Sequence, residues 1–288
     1  MLAGRGVFGA GGESMGVAQS SIVAVWFKGK ELAFALGLNL SIATLGSVIN
    51  AAVVPSLYES HGLGYALGLG CVLCAFSILC AFGIACIDKK SEDEEKQLQG
   101  SAEVARLDEE SKFKLSDITN FSLSYWLLTG SCVLTYMSVF PYIQVASDLL
   151  QTKYGFDAKY AGYLFGIPYI ISAISAPFLG MFIDRYGKRA ALCCLSSVIL
   201  ICAYSMSMMM PQCDKCHNEV YPLVATGIGY SIYASAIWGS VPYVVEPHTV
   251  GTAFGLTTAI QNVGLVVAPT IVGVIKDKTT TAMTAGHG

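Results

Sequence analysis

The sequence predicts an all-α protein embedded in a membrane, with eight helices that cross it. Three observations carry that expectation. Hydrophobic residues fill 54% of the 288 positions and charged ones only 13%, about half of the roughly 25% usual in a soluble globular chain. Mean hydropathy is +0.58. The charges are also segregated, which leaves apolar runs long enough to cross the ~30 Å hydrocarbon core of a bilayer.

Those runs fall at about 6–27, 32–57, 63–87, 124–150, 159–183, 189–210, 220–244 and 252–275. The first overlaps GRGVFGAGGES, 4–14, in which Gly4, Gly6 and Gly9 fit G-x-G-x-x-G. A dinucleotide site needs a strand before those glycines and a soluble βαβ unit around them. Here they open an apolar run, so they read as small residues that allow close helix contact. Beside them stands Glu13, the only charge between Arg5 and Lys28. A carboxylate at membrane depth is costly unless it faces a cavity or a partner, which makes Glu13 a candidate substrate-binding residue. Its helical neighbours Gly9, Ala10, Gly16, Val17 and Ser20 are mostly small and leave room for a ligand. The alternative is a structural carboxylate paired with Arg5 or bonded to a neighbouring helix. No basic n-region or cleavage site follows Met1, so a secretory signal peptide is not expected.

Between the third and fourth runs lies a charged stretch without apolar periodicity, DKKSEDEEKQLQGSAEVARLDEESKFKLSD, which reads as a solvated linker. The expected organisation is therefore 1–87 with three spans, 88–123 as linker and 124–288 with five spans. The loops 28–31, 88–123, 184–188 and 245–251 then share one side and, with Arg189 at the start of the next run, hold eleven of the seventeen Lys and Arg residues. The positive-inside rule puts them in the cytosol. The net charge of -3 says little about partners, because half of the acid sits in the linker, and no nucleic-acid partner is expected. The lipid bilayer is the partner that composition requires.

Other polar and aromatic groups in the runs are candidates for lining a cavity: Gln19, Asn50, Tyr136, Tyr142, Tyr169, Tyr233, Trp238, Gln261 and Asn262. Packing or an interfacial belt is the plainer role for each Tyr and Trp. The adjacent Gln261 and Asn262 are costly in mid-span, so at least one is expected to face the interior. Glu246 and His248 read as gate or capping residues at a helix end. Eight of the ten cysteines lie in runs, where they serve as small apolar packing residues. The other two sit in CDKCH, 213–217, a formal haem-attachment match in a short loop. A disulfide or free thiols suit it better, and it lacks the second ligand pair that zinc needs. No cofactor or metal is expected. Asn39 and Asn120 head glycosylation sequons, one inside a run and one on the cytosolic side, so neither is expected to carry sugar. There is no Ser/His/Asp set, H-E-x-x-H or Walker loop, and an enzyme is not expected.

The most specific stretch is GMFIDRYGKRAAL, 180–192, between two runs. Gly180 lets two helices approach, and Gly187 permits a tight turn. Asp184 can pair with Arg185 or cap the next helix, and Lys188 and Arg189 can anchor at an anionic leaflet. The pattern resembles the signature loop of the major facilitator superfamily. Further segments are similar to a branch of that superfamily that moves dipeptides out of lysosomes: GGES (11–14), WFKGKEL (26–32), NFSL with Trp126, VFP (139–141), KYGF (153–156), Trp238, GTAFG (251–255) and IQNVGL (260–265). In that superfamily the signature loop follows the second and eighth helices, and here it occurs once. The resemblance therefore implies an incomplete major facilitator fold, a fragment holding helices four to eleven of twelve.

The same resemblance implies dipeptide export from the lysosomal membrane to the cytosol by alternating-access uniport, cationic dipeptides foremost, with Glu13 holding the substrate's cationic end. It further implies a glycosylated lysosomal membrane accessory protein and a homodimer. Proton coupling, another small organic solute, or a non-transporting sensor or scaffold are the competing roles. One position departs from the family. In LSIATLGSVIN, 40–50, Thr44 stands where relatives carry an Arg suited to a peptide carboxylate. Threonine does not supply that charge.

Overall fold

The computed structural model describes residues 2–99, 115–211 and 217–285. Among these, regular structure is helical throughout: α1 Leu2–Phe27, α2 Leu32–His61, α3 Leu63–Gln99, α4 Leu123–Tyr154, α5 Ala158–Phe165, α6 Ile167–Tyr186, α7 Arg189–Met209, α8 Val220–Val244 and α9 Val250–Ala285. Short 3-10 turns at Leu115–Asn120, His217–Glu219 and Pro247–Thr249 precede α4, α8 and α9. Cys213 and Cys216 of the CDKCH loop, and 100–114 of the charged stretch, lie outside the described residues.

Among the described residues seven stretches are long and apolar enough to cross a membrane, and α5 with α6 forms one of them, Tyr160–Tyr186. The expected run at 6–27 is continuous helix in α1 but is not one of the seven. Glu13, Gln19 and the glycines and serines around them lower its hydropathy along the middle of the helix. The expected run at 159–183 is split at Gly166, whose N–H bonds back to the Tyr163 carbonyl at 3.1 Å. Pro168 explains the break, because it has no N–H to continue the ladder and suits a helix's first turn. Helix α3 runs past its apolar part to Gln99, so the first residues of the charged stretch are helical.

The helices gather into two compact units, Met1–Leu45 with Ser116–Gly288, and Gly46–Leu115. The boundary inside α2 differs from the division at 87 and 124 read from the sequence. In the second unit Gly62 adopts a left-handed φ of +85° and turns the chain from α2 into α3. The apolar side chains of α3, among them Phe76, Leu79 and Phe82, are exposed, as a face turned to hydrocarbon would be.

In the first unit α8 is the most buried helix, with fifteen buried residues. Its Tyr230, Tyr233, Ala234 and Ile237 meet Cys132, Tyr136, Val139 and Ile143 of α4 and Leu200 of α7 in one core. Of the eight cysteines in apolar runs, Cys132 packs inside and Cys193 is half-buried. The other six, Cys71, Cys74, Cys80, Cys86, Cys194 and Cys202, are exposed, which corrects the packing role expected of them. An outward position is tolerated because the hydrocarbon is as apolar as a core.

A cavity with one carboxylate, and a latch at a helix end

A cavity of about 290 Å³ opens among α1, α2, α8 and α9. Helix α1 contributes Glu13, Gly16, Val17, Gln19 and Ser20, and α2 contributes Leu36, Gly37, Asn39, Leu40 and Ala43. The opposing helices supply Ala234, Ser235 and Trp238 from α8 and Phe254, Thr258 and Gln261 from α9. Helical spacing explains the α1 set, since positions three and four apart share a face. Of the small residues around Glu13, Gly16, Val17 and Ser20 line the cavity with it, and a methyl group at Gly16 would meet nothing within 4 Å. Glu13 is the one charged side chain among the lining residues. The Arg5 side chain, its alternative partner, lies outside the described residues. Gly251 and Gly255 of α9 face Ser21 and Val17 of α1, where an added methyl group would make ordinary van der Waals contact.

Four of the sequence candidates thus meet in one place: Glu13, Gln19, Trp238 and Gln261. The Gln19 amide donates to Asn39 Oδ1 at 2.7 Å and joins α1 to α2. Trp238 stacks near Phe254 with ring centroids 6.1 Å apart. Its Nε1 donates to the Tyr136 hydroxyl at 2.7 Å. Tyr136 is buried behind that indole, so it positions the wall and does not line the cavity.

The remaining candidates go elsewhere. Asn50 belongs to the other compact unit. Asn262 is half-buried on α9 outside the cavity lining. Tyr169 packs with Phe165 at 5.6 Å against the aromatic core, and Tyr233 shares a 2.7 Å hydrogen bond with Ser131. Tyr142 donates at 3.0 Å to Glu219, which is 1% exposed and also receives the Tyr154 and Ser207 hydroxyls. Tyr154 lies beyond the membrane-length part of α4. Burial first, and its bond to Glu219 second, push its phenol up to about 12, so it remains a donor at physiological pH.

The signature stretch forms a second arrangement. Asp184, at the end of α6, accepts hydrogen bonds from the backbone N–H groups of Ala33 and Phe34 at 2.9 and 2.8 Å. It therefore caps α2, where the helix dipole favours an anion. It neither pairs with Arg185 nor caps the following helix α7, the two roles expected from sequence. Its cationic neighbour is Arg189, 3.7 Å away, which also lies 4.2 Å from the Tyr243 ring centroid. Arg185 instead lies beside Tyr186, and Lys188 is exposed. Two glycines permit the approach of α2 and α6. A methyl at Gly180 would collide with the backbone of Ala33 and Phe34, and one at Gly37 would come within 2.6 Å of the Ala176 carbonyl oxygen. Ser41 adds a bond to the Ala173 carbonyl. Gly187 turns the chain at φ +78°. Glu246 and His248 pair with each other at 3.5 Å at the surface, and the Glu246 side chain caps no helix.

Ser235, Thr258 and Glu219 were not singled out from sequence, and Asn39 was noted only as a sequon. Asn39 could have been a candidate, by the argument used for Gln261: an amide in an apolar run needs a reason to be there.

Comparison with known proteins adds kinship to this geometry. The Major Facilitator Superfamily profile matches residues 1–269. The chain is 35% identical to the lysosomal dipeptide transporter MFSD1 of Homo sapiens over 95% of its length. The corresponding proteins of Danio rerio and Mus musculus are 35% and 36% identical over 96% of the chain. It spans only 58%, 60% and 59% of the length of those three relatives.

Proposed function

Because the chain belongs to the Major Facilitator Superfamily, we propose that it forms part of a lysosomal membrane transporter that exports dipeptides, cationic ones foremost, to the cytosol by alternating-access uniport. The observation that carries this reading is the lone carboxylate of the cavity. Glu13 offers a charge-assisted partner to a substrate ammonium, while Trp238 and Phe254 present an aromatic wall that also favours cations. The names of the relatives supply the solute class and the organelle. In this reading the loops 28–31 and 184–188 face the cytosol. Asp184 latches α2 to α6 at that end, and the latch must break when the cavity opens there.

A second reading, a small organic cation other than a dipeptide, is favoured by Thr44. Its hydroxyl donates to the Leu40 carbonyl of its own helix and supplies no charge for a carboxylate.

The test is uptake of a lysine-containing dipeptide by vesicles holding the purified full-length protein. Flux above empty vesicles is expected. Glu13→Gln should lower kcat/KM about 10- to 100-fold, the worth of one hydrogen bond to a charged group. Absence of flux sinks the transporter reading, and unchanged flux in the variant sinks the role of Glu13.

A further inference from the structure

Helix α8 carries three serines within ten residues, and they do not behave alike. The hydroxyls of Ser231 and Ser240 donate to the carbonyls one turn back, Gly227 at 2.6 Å and Ala236 at 2.7 Å. That back-bond is what a serine in a membrane helix ordinarily does. Ser235 does not make it. Its residue is only 3% exposed, its Oγ is buried, and no hydrogen-bond partner reaches it among the described residues. It is also the serine of the three that lines the cavity. A buried hydroxyl left unmatched is uncommon, because the fold loses the hydration of that group and gains nothing in exchange.

We propose that Ser235 is a specificity-determining hydrogen-bond donor, whose hydroxyl engages the carbonyl oxygen of the substrate's peptide bond. This deepens the dipeptide reading and rests on it. The surroundings select a neutral acceptor. Trp238 lies three residues along α8, on the same face of the helix. Gln261, 7% exposed, also lines this cavity. Its Oε1 contacts the Cys132 thiol at 3.7 Å, which leaves the two N–H donors of that amide uncommitted by this contact. The charged lining residue, Glu13, is an acid that would repel a carboxylate. A hydroxyl and an amide lining one cavity suit a carbonyl that polarises toward them without carrying charge. An ammonium at Glu13 and a carbonyl at Ser235 would together fix the substrate's direction in the cavity.

The experiment is a cycle between protein and ligand. The full-length protein and its Ser235→Ala variant are titrated with Lys-Ala and with its (E)-alkene isostere, which keeps the shape of the peptide bond and lacks the carbonyl. Binding is read from ligand-induced thermal stabilisation. The wild type should bind the isostere about three- to tenfold more weakly than the dipeptide, the worth of one neutral hydrogen bond. Ser235→Ala should lose most of that preference, the Gln261 amide accounting for any remainder. A variant that keeps the wild-type preference overturns the proposal while leaving the dipeptide reading intact. Failure of the wild type to bind either ligand removes the dipeptide reading, and the proposal falls with it. The unliganded variant should melt no lower than wild type, since no bond is lost. A clear drop would show that the hydroxyl serves the fold, and would equally overturn the assignment.

Discussion

Glu13 and Glu219 are carboxyl groups in one compact unit, and their surroundings differ in kind. Glu13 is exposed in a cavity walled by small and aromatic residues. Glu219 is 1% exposed and receives the hydroxyls of Tyr142 and Tyr154 from α4 and of Ser207 from α7. A buried acceptor that is fully engaged holds elements together. An acid left open to a cavity has its interaction capacity available for something that arrives. The contrast separates a structural acid from a candidate binding acid by what each already touches.

The strongest way to break the comparison is to remove the saturated acid. Glu219→Ala strands three hydroxyls at once, each costing ~1–3 kcal/mol when left buried and unmatched. We expect the largest stability loss of any substitution discussed, roughly 3 kcal/mol or more given that such terms are not additive. Thermal unfolding of the purified protein measures it. Glu13→Gln should leave the melting temperature where it was while lowering flux. If Glu13→Gln destabilised the fold and Glu219→Ala did not, the two assignments would be reversed.

Asp184 lies between these extremes and sharpens them. It is bonded, but to backbone N–H groups at the start of α2 that a moving helix can release. Asp184→Asn removes the charge that the helix start and Arg189 favour, a change worth ~1 kcal/mol or about a fivefold shift in an opening equilibrium. Hydrogen exchange at the Ala33 and Phe34 amides should quicken by about that factor, with the melting temperature little moved. Exchange no faster than wild type would show that the charge does not hold the latch.

How much of this was legible in the sequence follows from the expense of each group. Glu13, Gln19 and Gln261 stand out because a carboxylate or an amide in an apolar run demands an explanation. Trp238 was found for the same reason as Tyr142 and Tyr169, which line no part of the cavity. Aromatic rings suit core and cavity equally, so sequence alone cannot rank them. Ser235 was invisible because serine is cheap in a membrane helix, where its own backbone satisfies it, as Ser231 and Ser240 show. Glu219 sits at a helix start, an unremarkable place for an acid. Only the fold brings Tyr142 to it, across 77 positions of sequence. The latch was half legible: GMFIDRYGKR marks the loop, but its partner lies 150 residues earlier, at Phe34.

The smallest expected effect tests how the cavity wall is held. Trp238 reaches Tyr136 through one 2.7 Å hydrogen bond, and Tyr136 does not line the cavity. Trp238→Phe keeps an aromatic face toward the substrate and gives up that bond, worth ~1 kcal/mol. The consequence should be a rise of about two- to fivefold in KM with kcat retained, because the wall loses its fixed orientation and not its chemistry. If Tyr136 acts only through the indole, Tyr136→Phe should produce a rise of the same size. The double variant should then be no worse than either single one, since both remove the same interaction. Additive losses would show that Tyr136 meets the substrate directly, and would move it from the support of the cavity into the site itself.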